Sequence, residues 1–196
     1  MLQYSPYLVF LGSAVYAAGT YSYIKDVMLG NAKPNKMSWL LWAIAPFIAT
    51  AAAISDGVGL AVMPVFISGF GAFVIFIASF ANKNAYWKLE RLDYWCGFFS
   101  VLSLIFWGIT KKPEVAIIFA IASDGFAGLP TLIKSLKYPK TENAGPFITG
   151  LFCSLISLAA VKNWNFSELA FVVYLLFLDG SITFAIYRGR ILGKMI

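Results

Sequence analysis

Apolar residues run through this chain in long blocks, and short polar joints divide them. A bilayer span needs about 20 predominantly apolar residues. Seven stretches are candidate spans: 6–23, 37–55, 60–81, 92–109, 115–132, 146–161 and 169–187. The joints between them read GNAKPNK, SDGVG, NKNAYWKLER, TKKPE, KYPKTENAG and KNWNFSE. The sixth stretch is short and holds Cys153, Ser154 and Ser157. The pattern predicts an all-α integral membrane protein of seven transmembrane helices.

An odd number of spans puts the termini on opposite sides, and the joints then sort the cations. One side receives Lys25, Lys33, Lys36, Lys83, Lys88, Arg91, Lys134, Lys137, Lys140, Arg188, Arg190 and Lys194, which is 12 of the 15 Lys and Arg. The other receives Lys111, Lys112 and Lys162. Cytoplasmic joints carry the excess of Lys and Arg, so the N-terminus is expected outside and the C-terminus in the cytoplasm. The net charge of +6 is thereby used up as topogenic charge, with no contiguous basic face left for nucleic acid. Composition agrees: 60% of residues are hydrophobic and 12% charged, too few charges to cover a water-facing surface.

Residues 1–24 hold no Lys or Arg, so the first apolar stretch is expected to stay as a span rather than leave as a signal peptide. Short joints and the absence of tails suggest a bacterial cytoplasmic membrane. The chain has no histidine, and its 2 cysteines, Cys96 and Cys153, lie apart in apolar stretches. No disulfide framework, zinc set or haem ligand set can be assembled from them, and no cofactor is expected. An intramembrane enzyme lacks a nucleophile–base pair here. A retinal photoreceptor lacks its mid-depth lysine in the last span. Trp87, Trp107 and Trp164 read as an aromatic belt at the headgroups; Trp39 and Trp42 read first as belt and second as pathway lining. Asn165-Phe166-Ser167 is a glycosylation sequon in a short joint.

The chain resembles itself. At an offset of 109 residues Ala18-Gly19 falls on Ala127-Gly128 and Ile24-Lys25 on Ile133-Lys134; at 111, Gly69 meets Gly180 and Phe73 meets Phe184. Spans one to three then match spans five to seven, with span four a connector: a 3+1+3 plan of two parallel three-helix repeats. The expected units are 1–82, a linker helix with its joints over 83–112, and 113–196. Pro46 and Pro130 fall inside spans two and five, where each removes a backbone hydrogen bond and can serve as a hinge.

Pro130 to Thr141, PTLIKSLKYPKT, resembles the signature of the PQ-loop and SWEET-like transporter superfamily: Pro-Gln, apolar residues, a basic residue, then a basic loop. Thr131 stands where that family has Gln, and the first repeat has Tyr21-Ser22 with no proline. The resemblance implies two parallel three-helix bundles around a mid-membrane solute site that opens to each side in turn. It carries over no sugar specificity. Vitamin transporters of related architecture are a second resemblance.

Two acids fall deep within spans, Asp124 and Asp179. They come ten and eleven residues after Glu114 and Glu168 at the outer ends of their spans. At about 1.5 Å per residue both lie about 15 Å deep, near the midplane. A charge there costs about 2.5–3.5 kcal/mol on insertion scales, so such acids hold a proton, a metal ion or a cationic solute group, or else bond neighbouring hydroxyls. Ser68 is the repeat partner of Asp179. In the transporters this chain resembles, that position faces the solute. Trp42, Tyr16, Thr20 and Ser123 complete the polar and aromatic candidates near the path. Gly69, Gly71, Gly125 and Gly128 can pack helices within one chain or between chains, which leaves a homo-oligomer open. The expected function is transport of a small polar solute (a sugar, an amino acid or a vitamin-like molecule), with proton coupling through the acids. The alternative is a non-transporting receptor or scaffold of the same fold. Partners are then the solute and the lipid bilayer.

Overall fold

The computed structural model describes residues 6–55, 63–85, 87–109, 113–160 and 166–191. Within them the chain forms seven α-helices and no strand: α1 (Pro6–Leu29), α2 (Lys36–Ser55), α3 (Met63–Ala78), α4 (Arg91–Ile109), α5 (Pro113–Lys137), α6 (Gly145–Ala160) and α7 (Phe166–Ile191). One helix covers each apolar stretch. Lys111, Lys112, Lys162, Trp164, Asn165 and Lys194 lie outside the described residues, as do the side chains of Trp107, Glu114, Ser157, Glu168 and Arg190.

α1 and α5 run furthest past the ends of their apolar stretches, for one reason. Beyond Tyr23, α1 turns amphipathic: Val27 is buried while Lys25 is exposed. It stops at Gly30, whose φ of 79° is the left-handed conformation a glycine adopts cheaply. There Asn31 and Ala32 return their amides to the Asp26 carbonyl at 2.9 and 3.1 Å. Beyond Leu132, α5 likewise keeps a buried face, Lys134 and Ser135, beside exposed Leu136 and Lys137. A hydropathy window ends at such mixed segments, whereas the helix continues as long as one face is covered.

α3 packs against α1 and α2, and α7 packs against α5 and α6. α1 meets α6, α2 meets α5, and α4 lies against α5 and α2. Small residues set the close approaches. A Cβ on Gly19 would stand 2.7 Å from the Gly145 carbonyl oxygen, so α1 and α6 cross nearly backbone to backbone. A Cβ on Gly69 would stand 2.9 Å from the Pro46 ring. Gly71 fits Tyr16 and Thr20, Gly125 fits Tyr174, and Gly128 fits Leu178 and Trp42. All four glycines singled out from the sequence thus pack against neighbours in their own chain.

Polar residues are buried beside an apolar core, and large apolar side chains face outward. Thr20, Asn35, Ser38, Ser100, Ser123, Thr131, Lys134, Ser135 and Glu142 are buried, while Trp95 is 61% and Phe177 73% exposed. Among the described residues one helical segment, Leu169–Gly189, is long and apolar enough by itself to cross a bilayer; Val65–Ala78 and Gly145–Ile156 are apolar but shorter.

The α1–α6 crossing gives the first test. Gly19→Ala places a methyl against the α6 backbone and should lower stability by about 1–3 kcal/mol, read as a lower melting temperature in detergent. Gly108→Ala, with nothing within 4 Å of the new Cβ, should leave the melt unchanged or slightly higher. Equal melts for the two variants would contradict this crossing.

Candidate functional site at the centre of the bundle

The α5 sequence places Asp124, Gly128, Thr131 and Lys134 three or four residues apart, so they share one helix face. Ala127, Thr131, Lys134 and Ser135 on that stripe are all buried. The stripe therefore points into the bundle and runs from the middle of α5 to its lysine-rich end.

Asp124 sits at its deep end. The Tyr174 hydroxyl on α7 donates to Asp124 Oδ2 at 2.9 Å. The Trp42 indole on α2 donates to the Asp124 carbonyl at 3.4 Å. Asp179 comes from the adjacent α7, and the two carboxylates act on each other electrostatically. Gly150 on α6 makes room for Asp179, since a Cβ there would run into its carboxylate. Tyr16 on α1 feels both carboxylates, and Cys153 on α6 feels that of Asp179. Five helices thus meet around two acids, two phenols and one indole. Every lysine or arginine of α1 to α7 falls in a first or last turn, or nearly so, so no helix brings a cation to that depth. Such a centre can take up a proton or a cationic group, and it can accept hydrogen bonds from hydroxyls.

The other candidates divide. Trp42 and Tyr16 join the two acids. Ser68 does not: its hydroxyl donates to the Val65 carbonyl of its own helix at 2.8 Å. Ser123 is used at the α4–α5 contact, where Ser100 donates to its carbonyl at 2.8 Å. Thr20 is buried against Gly71. Pro46 lies inside α2 against Gly69, and Pro130 lies buried inside α5 beside the stripe.

One sequence expectation is corrected. Trp39 is not a belt residue: it is 2% exposed and packs against Tyr23, Trp42 and Phe147 at ring separations of 4.9, 5.1 and 6.1 Å. Trp42 closes this aromatic layer from the side of the acids. Lys134, sorted above with the exposed-looking cations of the joints, is turned inward. It is 2% exposed and pairs with Glu142 at 2.6 Å. Its ammonium also donates to the Lys33 carbonyl, and to that of Thr141 at 3.3 Å. The Tyr23 hydroxyl donates to the second Glu142 oxygen at 2.6 Å. Burial pulls the Lys134 ammonium below the usual lysine range, and the Glu142 carboxylate opposes that pull.

Asn35 and Asn143, 108 residues apart, were also missed. Each caps the next helix: Asn35 Oδ1 accepts from the Ser38 amide at 3.3 Å and Asn143 Oδ1 from the Gly145 amide at 2.6 Å. Each then donates its own amide to an aspartate, Asp93 at 2.7 Å and Asp26 at 2.6 Å. Asparagine just before α2 and α6, at a spacing of 108 beside the 109 and 111 of the other self-matches, was a readable signal.

No family model, curated protein or solved structure matches this chain.

The buried pair gives a stability test. Lys134→Met strands the Glu142 carboxylate and should lower unfolding free energy by about 3–5 kcal/mol, whereas Lys134→Met with Glu142→Leu should recover most of that loss. Additive losses in the two single variants and the double variant would show that the two side chains do not interact.

Proposed function

We propose that this chain is a multi-pass membrane transporter of a small polar solute, with its binding site at Asp124 and Asp179. The observation that carries the reading is the placement of two carboxylates at the meeting point of five helices that bring no cation there. Unneutralised acids in an apolar bundle are costly, and a site that binds protons or solute is the economical reason to keep them. The large apolar side chains exposed on each helix support a lipid environment for all seven. In that reading the lysine-rich joints face the cytoplasm, the N-terminus lies outside, and a bacterial inner membrane is the setting.

The packing supports two parallel repeats joined by α4. In each set of three the last helix contacts both others, and the cross-contacts, α1 with α6 and α2 with α5, exchange under a two-fold relation. The Lys33 amide donates to the Thr141 carbonyl at 2.8 Å, between positions 108 apart, as expected for residues beside such an axis. The PQ-loop resemblance of residues 130–141 belongs to the same reading. Transport then consists of the two repeats rocking about the acids, with Pro46 and Pro130 as bending points.

Thermal stability of the purified protein against sugars, amino acids, vitamins and organic cations, at two pH values, tests the site. A ligand at about 100 times its dissociation constant adds about 2.7 kcal/mol, a readable shift. The shift should vanish in Asp179→Asn and Asp124→Asn. A panel with no hit, and variants at least as stable as the parent, would leave a scaffold of packed, protonated acids. In proteoliposomes, uptake of a hit should follow an imposed pH gradient; uptake indifferent to the gradient would remove proton coupling and leave the site.

A further inference from the structure

We infer that Lys134 and Glu142, with Tyr23 and the Lys33 carbonyl, form a latch that shuts the lysine-rich end of the bundle over the central acids. The latch rests on the transport reading for its purpose.

Its composition argues for a device that opens. An ammonium has three protons, and Lys134 spends them on Glu142, the Lys33 carbonyl and the Thr141 carbonyl. Glu142 spends its second oxygen on Tyr23. Lys134, Thr141 and Glu142 belong to α5 and the joint that follows it. Tyr23 and Lys33 belong to α1 and the joint that follows it. The ion pair is therefore internal to one half of the chain. Two hydrogen bonds, Lys134 to the Lys33 carbonyl and Tyr23 to Glu142, reach from it to the other half. Parting the halves breaks those two bonds and leaves the charge pair whole. Water can replace a phenol and a carbonyl on a still-paired ammonium and carboxylate. A plain staple has no need of charge, because apolar side chains of that volume hold two segments together as well or better.

The position argues the same way. From the acids towards the lysine-rich face the contacts run Asp124, Trp42, Trp39, Tyr23, Glu142, Lys134. Phe147 closes the aromatic layer from α6, lying 6.1 Å from both tryptophans. Tyr23 belongs to both layers, its ring in the aromatic one and its hydroxyl in the ionic one. A solute passing between the acids and this face has to displace both, and the latch holds them in register.

Cys153 is a built-in reporter, since it lies one turn along α6 from Gly150, against which the Asp179 carboxylate rests. With Cys96→Ala it is the sole thiol of the 2 in the chain. The experiment is the rate of Cys153 alkylation by a membrane-impermeant maleimide, applied to the full-length protein in vesicles from the lysine-rich face and, separately, from the opposite face. The parent should label slowly from the lysine-rich face. Tyr23→Phe, which keeps the ring and removes one cross-link, should raise that rate about fivefold. Glu142→Gln should raise it further. Neither should raise labelling from the opposite face. Unchanged rates from the lysine-rich face in folded Tyr23→Phe and Glu142→Gln would overturn the latch and leave a structural staple. Equal acceleration from both faces, a general loosening, would overturn it too. If Glu142→Gln does not fold, Tyr23→Phe decides alone. Labelling needs no solute, so a chain that transports nothing can still pass or fail this test.

Discussion

A lysine ammonium cannot be buried without partners, and the lysine-rich end of this protein is arranged around supplying them to Lys134. The cost of desolvating that charge is several kcal/mol before compensation. Compensation comes from the Glu142 carboxylate and from backbone carbonyls of two different joints. Once those joints are fixed, Asn35 and Asn143 cap α2 and α6, and the crossing of α1 over α6 at Gly19 and Gly145 follows from where α6 begins. The aromatic layer of Tyr23, Trp39, Trp42 and Phe147 lies directly against this end and divides it from the acids. Ionic closure, aromatic closure and acidic centre thus succeed one another along a single buried stripe of α5.

Much of the fold was legible because hydrophobic length is a one-dimensional signal. Each of the seven apolar stretches became a helix, and counting residues singled out Asp124 and Asp179 as the two acids far from the helix ends. What could not be read was which polar residues at the stretch ends turn inward. Lys134 and Lys137 look alike in sequence, and one is buried while the other is exposed. The difference is an angle around α5 and the presence of Glu142 eight residues on, and hydropathy registers neither. Trp39 was misread for the same reason: a tryptophan near a span end fits a belt until its neighbours are known to be Tyr23 and Phe147.

Around the acids the legible part was the pair itself with Trp42 and Tyr16. Tyr174 and Gly150 were not legible, because one is a common aromatic in an apolar helix and the other acts by lacking a side chain. Gly150 and Trp42 stand 108 residues apart, the spacing of Asn35 and Asn143, so the smallest and the largest side chain stand at that same spacing beside the acids. That asymmetry gives Asp179 its space on one side and Asp124 an indole wall on the other. Ser68, chosen by its self-match to Asp179 and by the transporter resemblance, turns its hydroxyl to its own helix, because a self-match along the chain does not fix which way a side chain bonds.

The central claim is that the two halves part at the lysine-rich end and give the acids access to that side. The most direct measurement is the distance distribution between spin labels on exposed Lys25 and Lys140, one on each half, in lipid bilayers. The account predicts two populations, the shorter matching this structure and the longer growing when Tyr23 is replaced by Phe. A single short population in the parent and in that variant would contradict it.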